Sequence, residues 1–180
     1  DQIITEHAWD KRLMLPFEQY NDVFAVTART AHNWRYNKNS TDINEQETNL
    51  NRWSDVLVHY DHADKNNTVR DVFYIRQCVN RGPLMILRDD LVKLNYLDEV
   101  YFPQGFDEHD LCMRAKKELG KVCGFFDIAW HTEPHWGGTR DENGNTKTWM
   151  LNADQKNAKI FYSRWKNELQ NINESRKIII

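Results

Sequence analysis

The sequence predicts an α/β fold in which a sheet of mixed strand directions is flanked by helices. Two observations carry that reading. Short apolar runs at 23–26, 72–79, 84–87 and 122–130 alternate with segments whose apolar residues recur every three or four positions. The 180 residues are 40% hydrophobic and 28% charged, the balance of one globular domain.

The elements follow in order. Residues 5–19 read as a helix, with Thr5 as a possible N-cap and Trp9, Leu13 and Phe17 at spacing four. Pro16 should end or bend it. Asn21 and Asp22 make a turn into a buried strand at 23–26. Residues 30–70 are polar, with Trp34, Tyr36, Trp53 and Tyr60 scattered through no clear period. They read as a long surface excursion, the usual home of substrate contacts. Strands at 72–79 and 84–87 flank the turn Asn80-Arg81-Gly82-Pro83. Asp89 is placed to cap a short helix over 90–95. A helix over 111–119 should close at Gly120 as its C′ residue. A strand at 122–130 leads into a polar, glycine-bearing loop at 132–148. Asn152 then caps a last helix over about 153–173, striped by Ile160, Phe161, Trp165, Leu169 and Ile172. That C-terminal segment, 152–176, should pack on the single domain formed by 1–180. Ile178-Ile179-Ile180 reads as a frayed or truncated end.

Bulk properties narrow the function. A net charge of −3 argues against nucleic acid bound through electrostatics. No apolar run approaches the ~20 residues that span a bilayer, so no transmembrane segment is expected. Three cysteines without short paired spacing fit reduced, buried thiols and a cytoplasmic location. Asparagine is abundant beside lysine and isoleucine, as in AT-rich bacterial or viral genes.

The most informative stretch is Asp107-Glu108-His109-Asp110-Leu111-Cys112. Three acids within four positions repel one another unless a cation or a function uses them. A carboxylate with a raised pKa there could act as a base. Equally, Asp107 and Asp110 could be an N-cap and a first-turn charge. His131 follows as a metal-ligand candidate, or as an ordinary histidine at a strand end. A tight turn alone would also explain Gly82.

Three stretches together resemble the second half of a family-two glycosyltransferase with the GT-A fold. They are Asn80-Arg81-Gly82-Pro83-Leu84-Met85-Ile86-Leu87-Arg88, Leu91-Val92-Lys93-Leu94-Asn95-Tyr96-Leu97-Asp98-Glu99 and Asp107-Glu108-His109-Asp110-Leu111-Cys112-Met113-Arg114-Ala115. The resemblance covers about residues 80–131 and implies a GT-A-like sheet. It implies inverting transfer of a sugar from a nucleotide-sugar donor to a hydroxyl of a saccharide or glycan acceptor. By position Glu108 matches the family's base. The pair stands as Asp-Glu where the family usually has Glu-Asp, so Asp107 is the other candidate, and Asn95 replaces a common Gly. Asp1 matches the last acid of the family's D-x-D motif. With His131 it would hold Mn²⁺ or Mg²⁺, which neutralises the leaving diphosphate. Asn80, Arg81, Gly82 and Asp110 are the implied substrate contacts, and Trp136 is a candidate platform for a sugar face. On this resemblance the N-terminal nucleotide-binding half is expected to be missing from the chain, leaving it inactive alone.

Other constellations are weaker. His131-Thr132-Glu133-Pro134-His135 has zinc-like spacing, but Pro134 and Gly137-Gly138 forbid the required helix. His59-Tyr60-Asp61-His62 reads as a solvated loop. Of the seven tryptophans, Trp9, Trp130 and Trp165 suit the core. Trp34, Trp53, Trp136 and Trp149 fall in loop-like regions and would suit carbohydrate. A non-catalytic carbohydrate-binding module is therefore the alternative; a β-sandwich would favour it.

Overall fold

The computed structural model describes residues 2–36, 50–52, 57–58, 69–132 and 138–180. Asp1, Trp53, Trp136, the 59–62 cluster and most of the 30–70 excursion lie outside the described residues. The fold is mixed α/β. Its main sheet has five strands in the order β12 (Glu174–Lys177), β7 (Val72–Arg76), β10 (Val122–Phe125), β2 (Val23–Thr27) and β9 (Leu84–Ile86). β10 and β2 run parallel; the other neighbours are antiparallel. All five residues of β2 are buried, as expected of an inner strand covered on both faces.

Smaller pairings surround this sheet. β1 (Gln2–Ile4) pairs with β11 (Trp130–Thr132). β3 (Thr30–His32) lies between β6 (Leu57–Val58) and β8 (Cys78–Val79), and β4 (Trp34–Tyr36) pairs with β5 (Leu50–Arg52). Among the described residues the helices are α1 (Trp9–Gln19), α2 (Arg88–Lys93), α3 (Asp107–Arg114) and α4 (Thr148–Trp165). A 3₁₀ turn covers Glu99–Tyr101, and α3 runs on into a π turn at Ala115–Leu119.

Two apolar cores form. Leu111 and Met113 of α3 and Phe161 and Trp165 of α4 pack with Phe24 and Phe125. Leu13 packs with Val26, Phe73, Ile75, Ile128 and Trp130 in the other. Phe73 and Ile75 belong to the second core while Tyr74 packs on the first, the two-residue alternation of a strand. Among the described residues no helix is long and apolar enough to cross a membrane.

Several expectations are corrected. Helix α1 opens at Trp9 rather than near Thr5, whose backbone N–H instead donates to Ala129 O at 2.9 Å. Pro16 does not end it: the helix forgoes one hydrogen bond and keeps the ring buried. The 72–79 strand breaks at Gln77, because side-chain amides take over the pairing. Gln77 N donates to Asn33 Oδ1 at 2.9 Å, and Trp34 N donates to Gln77 Oε1 at 3.0 Å. Trp34 is thereby buried in β4, not looped out. Helix α2 has Leu87 at its N-cap and no side-chain cap, so Asp89 does not cap it. Helix α3 begins four residues before the predicted 111, with its acids in the first turn where the helix dipole favours them. Gly120 does close that helix, at φ +66°.

The 122–130 strand is two strands, and the second joins β1 rather than the central sheet. The last helix spans Thr148–Trp165, with Asn152 inside it rather than at its cap. Glu174–Lys177 leave helical structure to form β12 on β7. Arg176 anchors that edge by a two-pronged ion pair with Asp22, at 2.5 and 2.8 Å. Ile178 is not frayed: it is buried, and its N–H donates to Asp71 O at 2.8 Å.

One buried amide fastens α4 to the rest. Asn157 is fully buried, and its Nδ2 lies 2.7, 2.8 and 3.0 Å from the carbonyls of Tyr101, Gln104 and Gly105. Asn157→Ala would strand these carbonyls, which we expect to cost about 2–3 kcal/mol. Urea unfolding of the variant checks it; a change below roughly 0.5 kcal/mol would refute this role.

Candidate active site

The turn after β8 lies over the start of α3. Thr27 Oγ1 holds the turn, 2.8 Å from Asn80 O and 3.0 Å from Pro83 O. Gly82 sits within it at φ +100°, a conformation that side chains resist. From the same turn Arg81 Nη2 donates to Asp107 Oδ1 at 2.9 Å and lies 3.5 Å from Glu108 Oε2. The Gly105 N–H also donates to Asp107 Oδ1, at 3.2 Å.

Asp107 and Glu108 are 7% and 8% exposed, so one half-exposed arginine faces two buried carboxylates. Glu108 Oε2 is buried without a hydrogen-bond partner. Arg81 meets its charge across 3.5 Å, an ion pair in place of a hydrogen bond. Burial first, then the hydrogen bond to Glu108 and its charge, push the Asp107 carboxyl up to about 6, against the opposing pull of Arg81.

That shift has a sign for stability. The folded state holds the Asp107 proton up to higher pH than the unfolded chain does. Its contribution is therefore most favourable below the unfolded pKa of 3.8 and declines as pH rises to about 6. The loss reaches up to about 3 kcal/mol at neutral pH. Asp107→Asn removes it, so the variant should melt above the parent at pH 7.5 and level with it near pH 4. Thermal scans at both values test this. An equal or lower melting temperature at pH 7.5 would contradict the assignment.

The neighbouring candidates divide. His109 Nε2 is 2.7 Å from Asn80 Oδ1, so the Asn80 amide is engaged with the helix. The His109 ring stands edge-on to Phe106, with centroids 5.2 Å apart. Asp110, expected as a substrate contact, is fully buried and turned to the core. Its Oδ1 accepts from Trp165 Nε1 at 2.8 Å, Tyr101 Oη at 3.0 Å and Arg164 at 3.2 Å, and its Oδ2 accepts from Arg114 Nε at 2.8 Å. Such an arrangement holds elements together and leaves little for a ligand. His131 sits in β11 opposite Ile3, away from the cavity walls, and its expected partner Asp1 lies outside the described residues. Among the described residues no three His, Cys, Asp or Glu side chains are grouped to hold a metal ion. The three cysteines are free and buried.

A cavity of about 800 Å³ opens over this centre. It is lined by Arg81 and Glu108, by the aromatic residues Trp34 and Phe106, and by Met150 and Ala158 of α4. Gly105 lets α4 approach: at φ +94°, an added Cβ would stand 2.3 Å from Asp154 Oδ1. Asp107 instead borders an adjoining 350 Å³ hollow with Tyr101 and Phe102. The two carboxylates thus address different spaces.

Sequence reasoning missed Arg29, Gln104 and the α4 wall. Arg29 follows a buried strand end, a position that can mark a site edge. Helix α4 shows only an apolar stripe and no sign of the cavity it borders. Compared with family models, with curated proteins and with solved structures, the chain gives no match.

Proposed function

We propose that this chain carries the acceptor side of an inverting, metal-dependent glycosyltransferase. It would move a sugar from a nucleotide-sugar donor to a hydroxyl of a saccharide or glycan acceptor. The observation that carries the reading is Glu108, a buried carboxylate beside Arg81 whose residue lines a cavity large enough for sugar rings.

A carboxylate at that wall suits an acceptor hydroxyl. It accepts the O–H hydrogen bond, then takes the proton as the oxygen attacks the anomeric carbon. Arg81 bridges Asp107 and Glu108 and holds both side chains in place. Between the two candidates the cavity favours Glu108, because Asp107 borders the smaller hollow. A divalent cation, Mn²⁺ or Mg²⁺, belongs to the proposal through the sequence resemblance, with His131 its ligand candidate among the described residues. It would supply charge neutralisation at the leaving diphosphate. The alternative, a glycan-binding module without catalysis, has less support: the main sheet is single and mixed, flanked by helices, and Trp34 is buried.

The test is a transfer assay on the full-length native protein, using nucleotide-sugars, saccharide acceptors and Mn²⁺. The expected product has inverted anomeric configuration by NMR, and EDTA abolishes its formation. Glycan binding unaffected by nucleotide and metal, with no transfer from any donor, would favour the module instead.

A further inference from the structure

Resting on the glycosyltransferase reading, we infer that the acceptor is an anionic saccharide, one bearing a carboxylate or phosphate, held by Arg29 and Arg140 at the mouth of the cavity. Both side chains are exposed and line the same cavity as Glu108. Among the described residues neither has a carboxylate partner: Arg29 donates to the Arg81 carbonyl at 3.3 Å and Arg140 to the Thr146 hydroxyl at 2.5 Å. Arg81, the third arginine on these walls, is already bound to Asp107 and Glu108.

The charges therefore separate by position. Arg81 is taken up by the two carboxylates at the start of α3. Asp154 lies against Gly105 on the α4 side. Arg29, at the turn between β2 and β3, and Arg140, beyond Gly138, are exposed arginines that line the same cavity. Guanidinium forks pair best with planar carboxylates or with phosphate. Glu108 on the same walls is, on the proposed function, the acceptor for a ligand hydroxyl. One ligand meets both demands if it carries an anionic group and a free hydroxyl on neighbouring sugar positions. A neutral saccharide would leave the arginines unused.

Calorimetric titration of the full-length protein separates the sources. Trigalacturonate and mannose 6-phosphate are the anionic probes, galactotriose and mannose their neutral counterparts, and inorganic pyrophosphate stands for the donor's diphosphate. We expect at least one anionic probe to bind roughly tenfold tighter than its counterpart. Which of the two shows the preference identifies carboxylate or phosphate. The preference should shrink between 50 and 200 mM salt and vanish in the Arg29→Gln, Arg140→Gln double variant, with circular dichroism unchanged.

No preference for either anionic probe overturns the inference, as does a preference that survives in the double variant. Loss of pyrophosphate binding alone in that variant also overturns it, since the arginines would then serve the donor. Failure of the transferase reading looks different: the anionic preference would persist while no nucleotide-sugar supports transfer.

Discussion

Glu108→Gln should lower sugar-transfer turnover by about 10²–10⁴ in the full-length protein, with acceptor KM changing little. Gln keeps the shape of Glu and its hydrogen-bonding oxygen but cannot take a proton. The loss should therefore fall on turnover rather than on folding. Two observations make the substitution mild for the fold: the ion pair it weakens is long, with Arg81 3.5 Å from Glu108 Oε2, and Arg81 keeps its 2.9 Å bond to Asp107. Asp107→Gln is the necessary comparison, since the two acids stand in swapped order relative to the family they resemble. If Glu108→Gln turns over normally while Asp107→Gln does not, the roles are reversed. If both retain normal turnover, neither acid is the base.

The parts of this architecture that were legible in sequence are those set by local pattern. Val23–Thr27 is an unbroken apolar run and forms an inner strand buried throughout. Gly120 closes a helix because only a left-handed residue fits there, and glycine adopts that conformation freely. The acidic cluster could be seen because like charges so close need a reason, and Arg81 of the preceding turn supplies part of it. What could not be read depends on distant partners. Nothing local says that Glu174–Lys177 add to β7 rather than extend a helix, since the decision lies with Asp22, Asp71 and the strand they border. Nor does the spacing of three acids reveal that Asp110 points inward while Glu108 faces a cavity. Helical geometry turns successive side chains about 100° apart, and which direction meets the cavity is set by α4, a separate helix far along the chain. Asn157 was illegible for the same reason, because its three carbonyl acceptors lie in the 101–105 loop.

Asp110→Ala should be the most damaging single change to stability in this region, costing about 3–5 kcal/mol. The carboxylate has no solvent exposure and receives Tyr101, Trp165, Arg164 and Arg114. Removing it leaves Trp165 and Tyr101 polar atoms buried without their acceptor and a part-buried arginine without its counter-charge. Burial and the Asp110 charge together hold the Tyr101 phenol far above its ordinary pKa, so the two groups are electrically close. Asp110→Asn should do less harm, because its amide oxygen can still accept from Trp165 and Tyr101, while its NH₂ meets Arg114 unfavourably. At roughly 2–4 °C per kcal/mol for a chain of this size, the alanine variant should melt about 10 °C low. Adding Arg114→Met to Asp110→Leu should recover part of the loss, as happens when a buried ion pair is replaced whole. A substrate-contacting Asp110 predicts the reverse pattern: weaker acceptor binding with an unchanged melting temperature. Observing that pattern would return Asp110 to the binding site and would mean that α3 and α4 are held together chiefly by the apolar contacts of Leu111, Phe161 and Trp165.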